Sequence, residues 1–247
     1  MSGHDDDATV NSSPPKPEKP ANPREAIVDA LLRLAAKRDF GAIAISDIAR
    51  EAGVTLADFR DAFPSKGAVL GGFARRIDRK ALTSLSADHD AEPARERLYQ
   101  VLAKRLEALE PYREAVFSIA DWAASDPLSA STLNRELVNS MRFMLEAADI
   151  DSEGPVGAIK LQGLAFAWNR VLSAWRQDRP GETSHALAAL DREILRGEKW
   201  IDRVEDIART TEPLRNLAHR LFEGWTGRAA AARDSHDADH EHPHAEA

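Results

Sequence analysis

Apolar side chains recur along this chain at the spacing of amphipathic helices, and few stretches show the alternation that would indicate β-strands. The first helical segment starts near Pro23, a residue favoured in the first turn of a helix, and ends at Gly41. Its apolar positions recur at i, i+4, i+7 and i+8: Ile27, Leu31, Leu34 and Ala35. The pattern therefore predicts a helix with one buried side.

Later segments repeat the helical pattern as far as residue 225. A helix is predicted from Ser65 to about Leu85, and others are predicted at 93–109, 111–126, 128–148, 156–177, 185–208 and 212–225. The strongest apolar stripe is that of 156–177, which has Trp168 and Trp175 in register. About nine or ten helices without an internal repeat predict an all-α fold.

The stretch Ser46–Lys66 predicts two short helices joined at a glycine. Ser46 is expected to cap the first helix, and Gly53 to adopt the left-handed turn that ends it. Thr55 is expected to cap the second helix, with Asp58 three residues later as the partner in a capping box. Two helices of this length around a glycine turn are the outline of a helix-turn-helix.

A small core is predicted between these two helices and the first one. Phe59 and Phe63 lie four residues apart and therefore share one face of the second short helix, which Pro64 ends. The expected core residues are Ile27, Leu31, Leu34, Ile48, Phe59 and Phe63. The sequence thus predicts an N-terminal three-helix domain followed by a larger helical part.

Composition excludes several classes of protein. The chain has no cysteine, so a disulfide framework, a thiolate zinc site and a cysteine nucleophile are ruled out. Its 43% of hydrophobic residues suffices for a sizeable core, yet no apolar run reaches the roughly 20 residues that cross a bilayer. The acidic N-terminus lacks the apolar segment of a secretory signal. A soluble cytoplasmic protein without stable membrane insertion is expected.

Charge is distributed unevenly along the chain. The formal net charge is −8, but residues 24–80 contain eleven basic and eight acidic residues, and the remainder therefore carries −11. A basic N-terminal part on an acidic body is typical of a small DNA-binding domain attached to a larger domain of another function. An ordinary fluctuation of surface charge would give the same numbers.

Neither end of the chain has the pattern of a folded segment. Residues 1–22 are acidic and proline-rich, and 227–247 are polar with four histidines: His236, His240, His242 and His244. Both are predicted to be disordered, because they cannot bury enough apolar surface to offset their chain entropy. The histidines could bind a metal weakly, but a merely histidine-rich acidic tail is the simpler interpretation, so no metal site or cofactor is predicted.

We find no catalytic constellation in the sequence. Gly71 and Gly72 lie inside a helical pattern with no preceding strand, so they do not form a nucleotide-binding turn. His89, His185 and His219 are isolated and are interpreted as surface residues. The protein is not expected to be an enzyme.

Residues 27–73 resemble the TetR family of transcriptional regulators. The resemblance rests on these residues in the family's order and spacing: the helix with Ile27, Leu31, Leu34 and Ala35; Phe40-Gly41; Ser46-Asp47-Ile48-Ala49; Ala52-Gly53-Val54-Thr55; Phe63-Pro64-Ser65-Lys66; and Leu70. It implies an N-terminal helix-turn-helix domain plus a C-terminal helical bundle for ligand binding and dimerisation. The implied division is a helix-turn-helix domain at 23–66 and an effector-binding and dimerisation domain at 67–226.

The resemblance also implies a function and a set of contacts. A homodimer would place helix 55–63 in the major groove of a palindromic double-stranded operator, with Lys66 holding phosphate. The expected DNA-binding residues are Ser46, Thr55, Leu56, Ala57, Asp58, Arg60, Asp61 and Lys66. A small apolar effector would change DNA affinity by binding among Phe117, Trp122, Met141, Met144 and Trp168, although many of these are equally well explained as core. Helices 156–177 and 185–208 would form a four-helix dimer interface with their mates.

The predicted recognition helix departs from the family pattern. Asp58 and Asp61 stand against a single Arg60, which replaces an aromatic residue that would touch phosphate. Carboxylates near a DNA backbone are unfavourable unless they accept from a cytosine amino group. One hypothesis is an unusual operator. The other is a relative of the lipid-binding proteins of ubiquinone biosynthesis, with 212–225 as a membrane-contacting helix and an apolar pocket near Trp168 and Trp175.

Overall fold

The computed structural model describes residues 20–86, 88–125 and 127–199. Its α-helices are α1 (Pro23–Ala35), α2 (Ile45–Glu51), α3 (Leu56–Ala62), α4 (Lys66–Thr83), α5 (Ala94–Leu109), α6 (Arg113–Ser125), α7 (Pro127–Ala147), α8 (Gly154–Trp175) and α9 (184–199). Single 3-10 turns lie at His89–Ala91 and Glu110–Tyr112. The predicted all-α fold is confirmed, since every regular element in these three ranges is helical.

The first three helices enclose the core that the sequence predicts. Ile27, Leu31, Ile48, Phe59 and Phe63 are buried, and Leu34 packs against them while half-buried. Asn22 caps α1 by accepting a hydrogen bond from the backbone N–H of Glu25. Phe59 on α3 packs against Phe63, the residue that follows the helix, and this pair determines which side of α3 faces inward.

Helix α4 connects this three-helix group to the rest of the chain. Ser65 caps it by accepting from the N–H of Ala68, and it packs against α1, α5 and α7. A side chain at Gly72 would lie 3.0 Å from the ring of Phe63, so α4 approaches α3 closely at that glycine. The long helix is therefore a direct mechanical link between the two parts.

Two buried polar contacts fix the junction of α8 and α9. The Arg113 guanidinium donates to the carbonyl oxygens of Trp175 (2.7 Å) and Asp178 (2.6 Å), which satisfies carbonyls at the end of α8. The Asp178 carboxylate accepts from the backbone N–H groups of His185 (2.9 Å) and Ala186 (3.0 Å), in the first turn of α9. Asp178 thus caps α9 from outside the helix.

Some local predictions are wrong. Helix α2 begins at Ile45 after Ala44, so Ser46 is an exposed residue of its first turn and not its N-cap. Asp47 takes over the start of α2, because its carboxylate accepts from the N–H of Ala44 at 3.2 Å. His89 is buried, with its ring nitrogens 3.0 Å from the side-chain oxygen of Gln100 and the carbonyl oxygen of Ala147.

Other predictions fall on parts of the chain beyond these ranges. The tails 1–22 and 227–247 and the helix 212–225 lie almost wholly outside the described residues, as does the second half of the helix 185–208. The described residues belong mainly to one compact unit that ends at Ile194; a second unit begins at Leu195, and its first five residues are helical. The division at 66/67 stays a prediction. None of the described helices is long and apolar enough to cross a membrane.

Candidate functional site

The turn between α2 and α3 has the backbone geometry of a helix-turn-helix. Gly53 has a φ of 67°, the left-handed conformation that glycine adopts most easily. The N–H of Val54 donates to the carbonyl oxygen of Ala49 at 3.0 Å, which closes the end of α2. The predicted role of Gly53 is confirmed.

A complete capping box starts α3. The Thr55 hydroxyl oxygen accepts from the Asp58 N–H at 3.1 Å, and the Asp58 carboxylate accepts from the Thr55 N–H at 3.2 Å. The Thr55 hydroxyl also donates to that carboxylate at 2.8 Å. Asp58 therefore holds the first turn of its own helix, where the positive end of the helix dipole favours its charge.

Four residues form the outward face of α3: Leu56, Ala57, Arg60 and Asp61 are exposed, and Leu56 is 58% exposed. Phe59, between them in sequence, is buried. The solvent-facing side of this helix therefore presents two apolar and two charged side chains. We call Leu56, Ala57, Arg60 and Asp61 the outward face below.

Lys66, at the start of α4, is half-buried. Its ammonium donates to the carbonyl oxygens of Phe40 (2.8 Å) and Ile43 (3.0 Å) and lies 4.4 Å from the centre of the Phe40 ring. Burial lowers the pKa of Lys66, an effect that the charge of Asp39 opposes. The side chain predicted to hold a phosphate is thus engaged with the loop between α1 and α2.

Helix α6 holds the same loop from the other side. The Ser118 hydroxyl accepts from the N–H of Phe40 (3.2 Å) and donates to the carbonyl oxygen of Arg38 (3.1 Å). The ring centres of Phe40 and Trp122 are 4.8 Å apart. Lys66, Ser118 and Trp122 together form what we call the loop clamp, which fixes residues 38–43 to α4 and α6.

A cavity of about 100 Å³ lies inside the helical body. It is bounded by α4, α5, α6, α7 and α8, through Leu70, Phe73, Ala74, Ile77, Arg105, Leu109, Val116, Ile119, Ala120, Leu133, Glu136, Leu137, Trp168, Asn169 and Leu172. The lining is mainly apolar with a few polar groups, as is usual for sites that bind small molecules. It includes the exposed Asn169 and the half-buried Glu136, through which it reaches the surface.

Only one of the five predicted effector-pocket residues lines this cavity, namely Trp168. Met141 and Met144 are completely buried in the core, and Trp122 belongs to the loop clamp. Phe117 packs against Trp175 with ring centres 5.2 Å apart. The apolar pattern identifies all of them as inward-facing, but it does not distinguish packing from cavity lining.

Sequence reasoning missed the polar group at the cavity. Arg105 is 5% exposed; its Nε donates to Asp78 and to Ser140, both at 3.2 Å, and its guanidinium lies 4.7 Å from the Trp168 ring centre. A signal was present, because residue 105 falls on the apolar stripe of α5 together with Leu98, Val101, Leu102 and Leu109. A charged residue on such a stripe indicates a buried polar site.

A second basic residue escaped prediction at the end of α3. Arg24 donates to the carbonyl oxygen of Ala62 at 2.6 Å, and its guanidinium lies 4.3 Å from the centre of the Phe63 ring. It thereby ties α1 to the last turn of the short helix. Its position gives the N-terminal group a positive charge beside the outward face.

A capped, outward-facing second helix behind a glycine turn, joined by α4 to a helical body, is the arrangement of the helix-turn-helix class of proteins. Within that class, the family model for "Bacterial regulatory proteins, tetR family" matches residues 27–71. The N-terminal part of the chain is therefore similar to the DNA-binding domain of that family. The match contains α2, the turn, α3 and the start of α4.

Solved structures share the fold over most of the described chain. The TetR transcriptional regulator from Nitrosomonas europaea ATCC 19718 is 22% identical, with a TM-score of 0.55, over 71% of this chain and 97% of that one. A TetR transcriptional regulator from Rhodococcus sp. RHA1 is 19% identical, with a TM-score of 0.52, over 71% and 95%. Comparison with curated proteins gives no significant match.

Proposed function

We propose that the protein is a homodimeric regulator that binds a palindromic operator through α3 and releases or tightens its hold when a small apolar molecule enters the cavity. The observation that carries the proposal is the outward face of α3. Its four side chains are exposed on a helix whose start, opposite side and end are all fixed by hydrogen bonds or packing. A helix held in this way enters a major groove without having to order itself first.

The capping box removes part of the objection that acidic residues raise against DNA binding. The carboxylate of Asp58 is engaged at the N-terminus of α3, so Asp61 alone presents an acidic group on the outward face. In this arrangement the Asp61 carboxylate can accept a hydrogen bond from a cytosine amino group, and the neighbouring Arg60 can contact a phosphate. We infer an operator with a cytosine under Asp61.

Lys66 has a positioning role in this proposal. Its ammonium orients the loop that precedes α2. In its place, the backbone N–H groups at the start of α4 bind the phosphate. Ser46 and Thr55 remain exposed near the two helix starts, where hydroxyl groups reach phosphate oxygens.

Helix α8 supports the proposal of a dimer. Ile159 and Phe166 are 38% and 65% exposed, and a side chain at Gly163 between them would meet no atom within 4 Å. These residues lie at i, i+4 and i+7, so they form one apolar stripe on the surface of the helix. A second copy of the stripe would cover it in a two-fold symmetric helix pair.

Helix α6 supplies a route from the cavity to the DNA-binding part. Val116, Ile119 and Ala120 line the cavity, whereas Ser118 and Trp122 of the same helix belong to the loop clamp. A ligand that favours one position of α6 thereby favours one position of the loop and of α2 and α3. Its effect on DNA affinity equals its difference in affinity for the two arrangements.

The test is a fluorescence-anisotropy titration of the full chain with the DNA upstream of its own gene, at several salt concentrations. We expect saturable binding that weakens steeply with salt, because phosphate contacts release counterions. Arg60→Ala should weaken binding at least about tenfold and flatten the salt dependence.

Arg79→Ala is the matched control. It removes the same charge from the exposed side of α4, about 20 Å along the helix from its start, and should leave affinity nearly unchanged. Equal affinity of the wild type for the upstream DNA and for unrelated DNA would overturn the proposal. The family match and the similar solved structures are those of transcriptional regulators, which favours this proposal over the lipid-binding hypothesis.

A further inference from the structure

Arg105 is a buried cation with unused hydrogen-bonding capacity. Its Nε is shared between Asp78 and Ser140, and Ser140 also donates to Asp78 at 2.6 Å. No described residue accepts a hydrogen bond from its two terminal Nη groups, although the residue is 5% exposed. A guanidinium has five N–H donors in a planar fork, so four of them remain for another partner.

The cavity is where that partner would sit. Arg105 is part of its lining, and so is Trp168, whose ring faces the guanidinium at 4.7 Å. The remaining lining is mostly aliphatic, with Ile77, Leu109 and Ile119 among it. A ligand in the cavity is therefore surrounded by apolar side chains and faces one group of hydrogen-bond donors, the guanidinium of Arg105.

The charges around the cavity select the kind of acceptor. Arg105 already has a full counter-charge in Asp78, and the side chain of Glu136 contributes a second carboxylate to the lining. An anionic ligand would be repelled by Asp78, whose charge already balances that of Arg105, while Glu136 is itself paired with the Arg135 guanidinium at 3.7 Å. A neutral oxygen accepts the same hydrogen bonds without that repulsion.

We propose that the cavity binds a compact apolar molecule with one neutral carbonyl-type oxygen, which accepts hydrogen bonds from the Nη groups of Arg105 beside the ring of Trp168. The proposal rests on the function proposed above, in that it specifies the class of effector. A hydrocarbon offers the Nη donors no acceptor, and a carboxylate meets the repulsion of Asp78. Discrimination by one such buried polar contact is commonly large, because an unmatched donor loses its hydration without compensation.

Three probes of nearly the same size and shape separate these possibilities: acetophenone, isopropylbenzene and benzoate. Calorimetric titration of the full chain without DNA should give an acetophenone affinity at least about tenfold higher than that of either other probe. Equal or tighter binding of isopropylbenzene would show that Arg105 makes no contact. Tightest binding of benzoate, or no binding of any probe, would also overturn the proposal.

Two variants locate the contact. Arg105→Lys keeps the charge opposite Asp78 but not the fork, and should reduce acetophenone affinity to that of isopropylbenzene. Ala120→Trp fills the cavity from α6 and should abolish binding of acetophenone; if binding survives, the ligand lies elsewhere. Should either variant fail to fold, as judged by circular dichroism, the ranking of the three probes on the wild type still decides. Because no DNA is present, this outcome is independent of operator binding.

Discussion

Gly53 shows how a single residue sets the angle between α2 and α3. Its φ of 67° is left-handed, and a Cβ at this position would meet no atom within 4 Å. Any cost of adding a side chain therefore comes from the backbone conformation alone. We expect Gly53→Ala to lower the free energy of unfolding by about 1–2 kcal/mol and Gly53→Asn by less, because asparagine tolerates this region better.

Denaturant unfolding monitored by circular dichroism measures the difference. Gly197→Ala is the matched control, because that glycine also has open space around its Cβ position but lies in the helix α9. Alanine there should raise stability by up to about 1 kcal/mol. Equal effects at the two glycines would contradict the conformational explanation.

A substitution of Lys66 can distinguish a direct contact with DNA from an indirect role, in which Lys66 positions other residues that contact DNA. Lys66→Met removes two charge-assisted hydrogen bonds to the loop carbonyls and should lower stability by about 2 kcal/mol. Operator affinity should fall, but the dependence of affinity on salt should stay that of the wild type. Arg60→Ala should instead flatten the salt dependence by about one ion per subunit.

Anisotropy titrations at four or more salt concentrations give both quantities for each variant. A flatter salt dependence of operator affinity in Lys66→Met would show that Lys66 contacts a phosphate, as the sequence predicts. The structural basis of our expectation is that the Nζ of Lys66 lies 2.8 Å from the carbonyl oxygen of Phe40.

At the scale of elements, Asp178 links the end of α8 to the start of α9. Burial alone would raise its pKa, but donation by the N–H groups of His185 and Ala186 and by the His185 ring outweighs burial, so the pKa lies below the usual 3.8. A carboxyl group whose pKa is lowered by folding contributes stability above its unfolded pKa and loses that contribution as the pH falls through the folded value.

Asp178→Asn should therefore destabilise the protein by about 1–2 kcal/mol at pH 7. The stability gap between variant and wild type should narrow below about pH 4, because the unfolded wild type takes up a proton at Asp178 there before the folded protein does. Thermal unfolding of both proteins from pH 7 to pH 3 measures this difference in stability. Asp61→Asn, a change of the same charge on the exposed outward face, should leave stability nearly unchanged at every pH. A gap for Asp178→Asn that does not narrow would contradict the capping role.

Helix positions were predictable because their apolar periodicity is strong and their boundaries have chemical signals. Thr55, Ser65 and Pro23 start helices where the sequence places them. The prediction for Ser46 is wrong because α2 begins at Ile45, and Asp47, the third residue of the helix, accepts a hydrogen bond from the N–H of Ala44. Choosing between two adjacent capping residues needs the backbone conformation, which a sequence pattern does not contain.

The candidate sites were less predictable than the helices. Outward residues of α3 follow from its period once Phe59 and Phe63 are placed inward. The cavity does not follow, because it depends on how five helices pack, and side chains such as Met141 and Trp168 have the same pattern in the sequence. The engagement of Lys66 with the loop likewise joins residues 23 and 26 positions apart.

At the scale of the whole molecule, the exposed stripe of α8 bears on assembly. Phe166→Glu places a charge in the proposed interface and should convert a dimer into a monomer, as measured by sedimentation velocity. Phe143→Glu is the matched control, because Phe143 is 51% exposed on α7, outside the proposed interface. Operator affinity should fall with the dimer in the first variant only. Dissociation by the second variant alone would move the interface to α7.

The loop clamp also determines how hybrids of this protein with its relatives should be made. A hybrid that exchanges the whole segment 23–66 replaces Phe40 and Lys66 but keeps Ser118 and Trp122, so native side chains of α6 would face a foreign loop. A hybrid that changes only Leu56, Ala57, Arg60 and Asp61 keeps every contact between the loop, α4 and α6. To test a new operator preference, the four surface side chains are thus best exchanged alone, with the contacts of the loop clamp left intact.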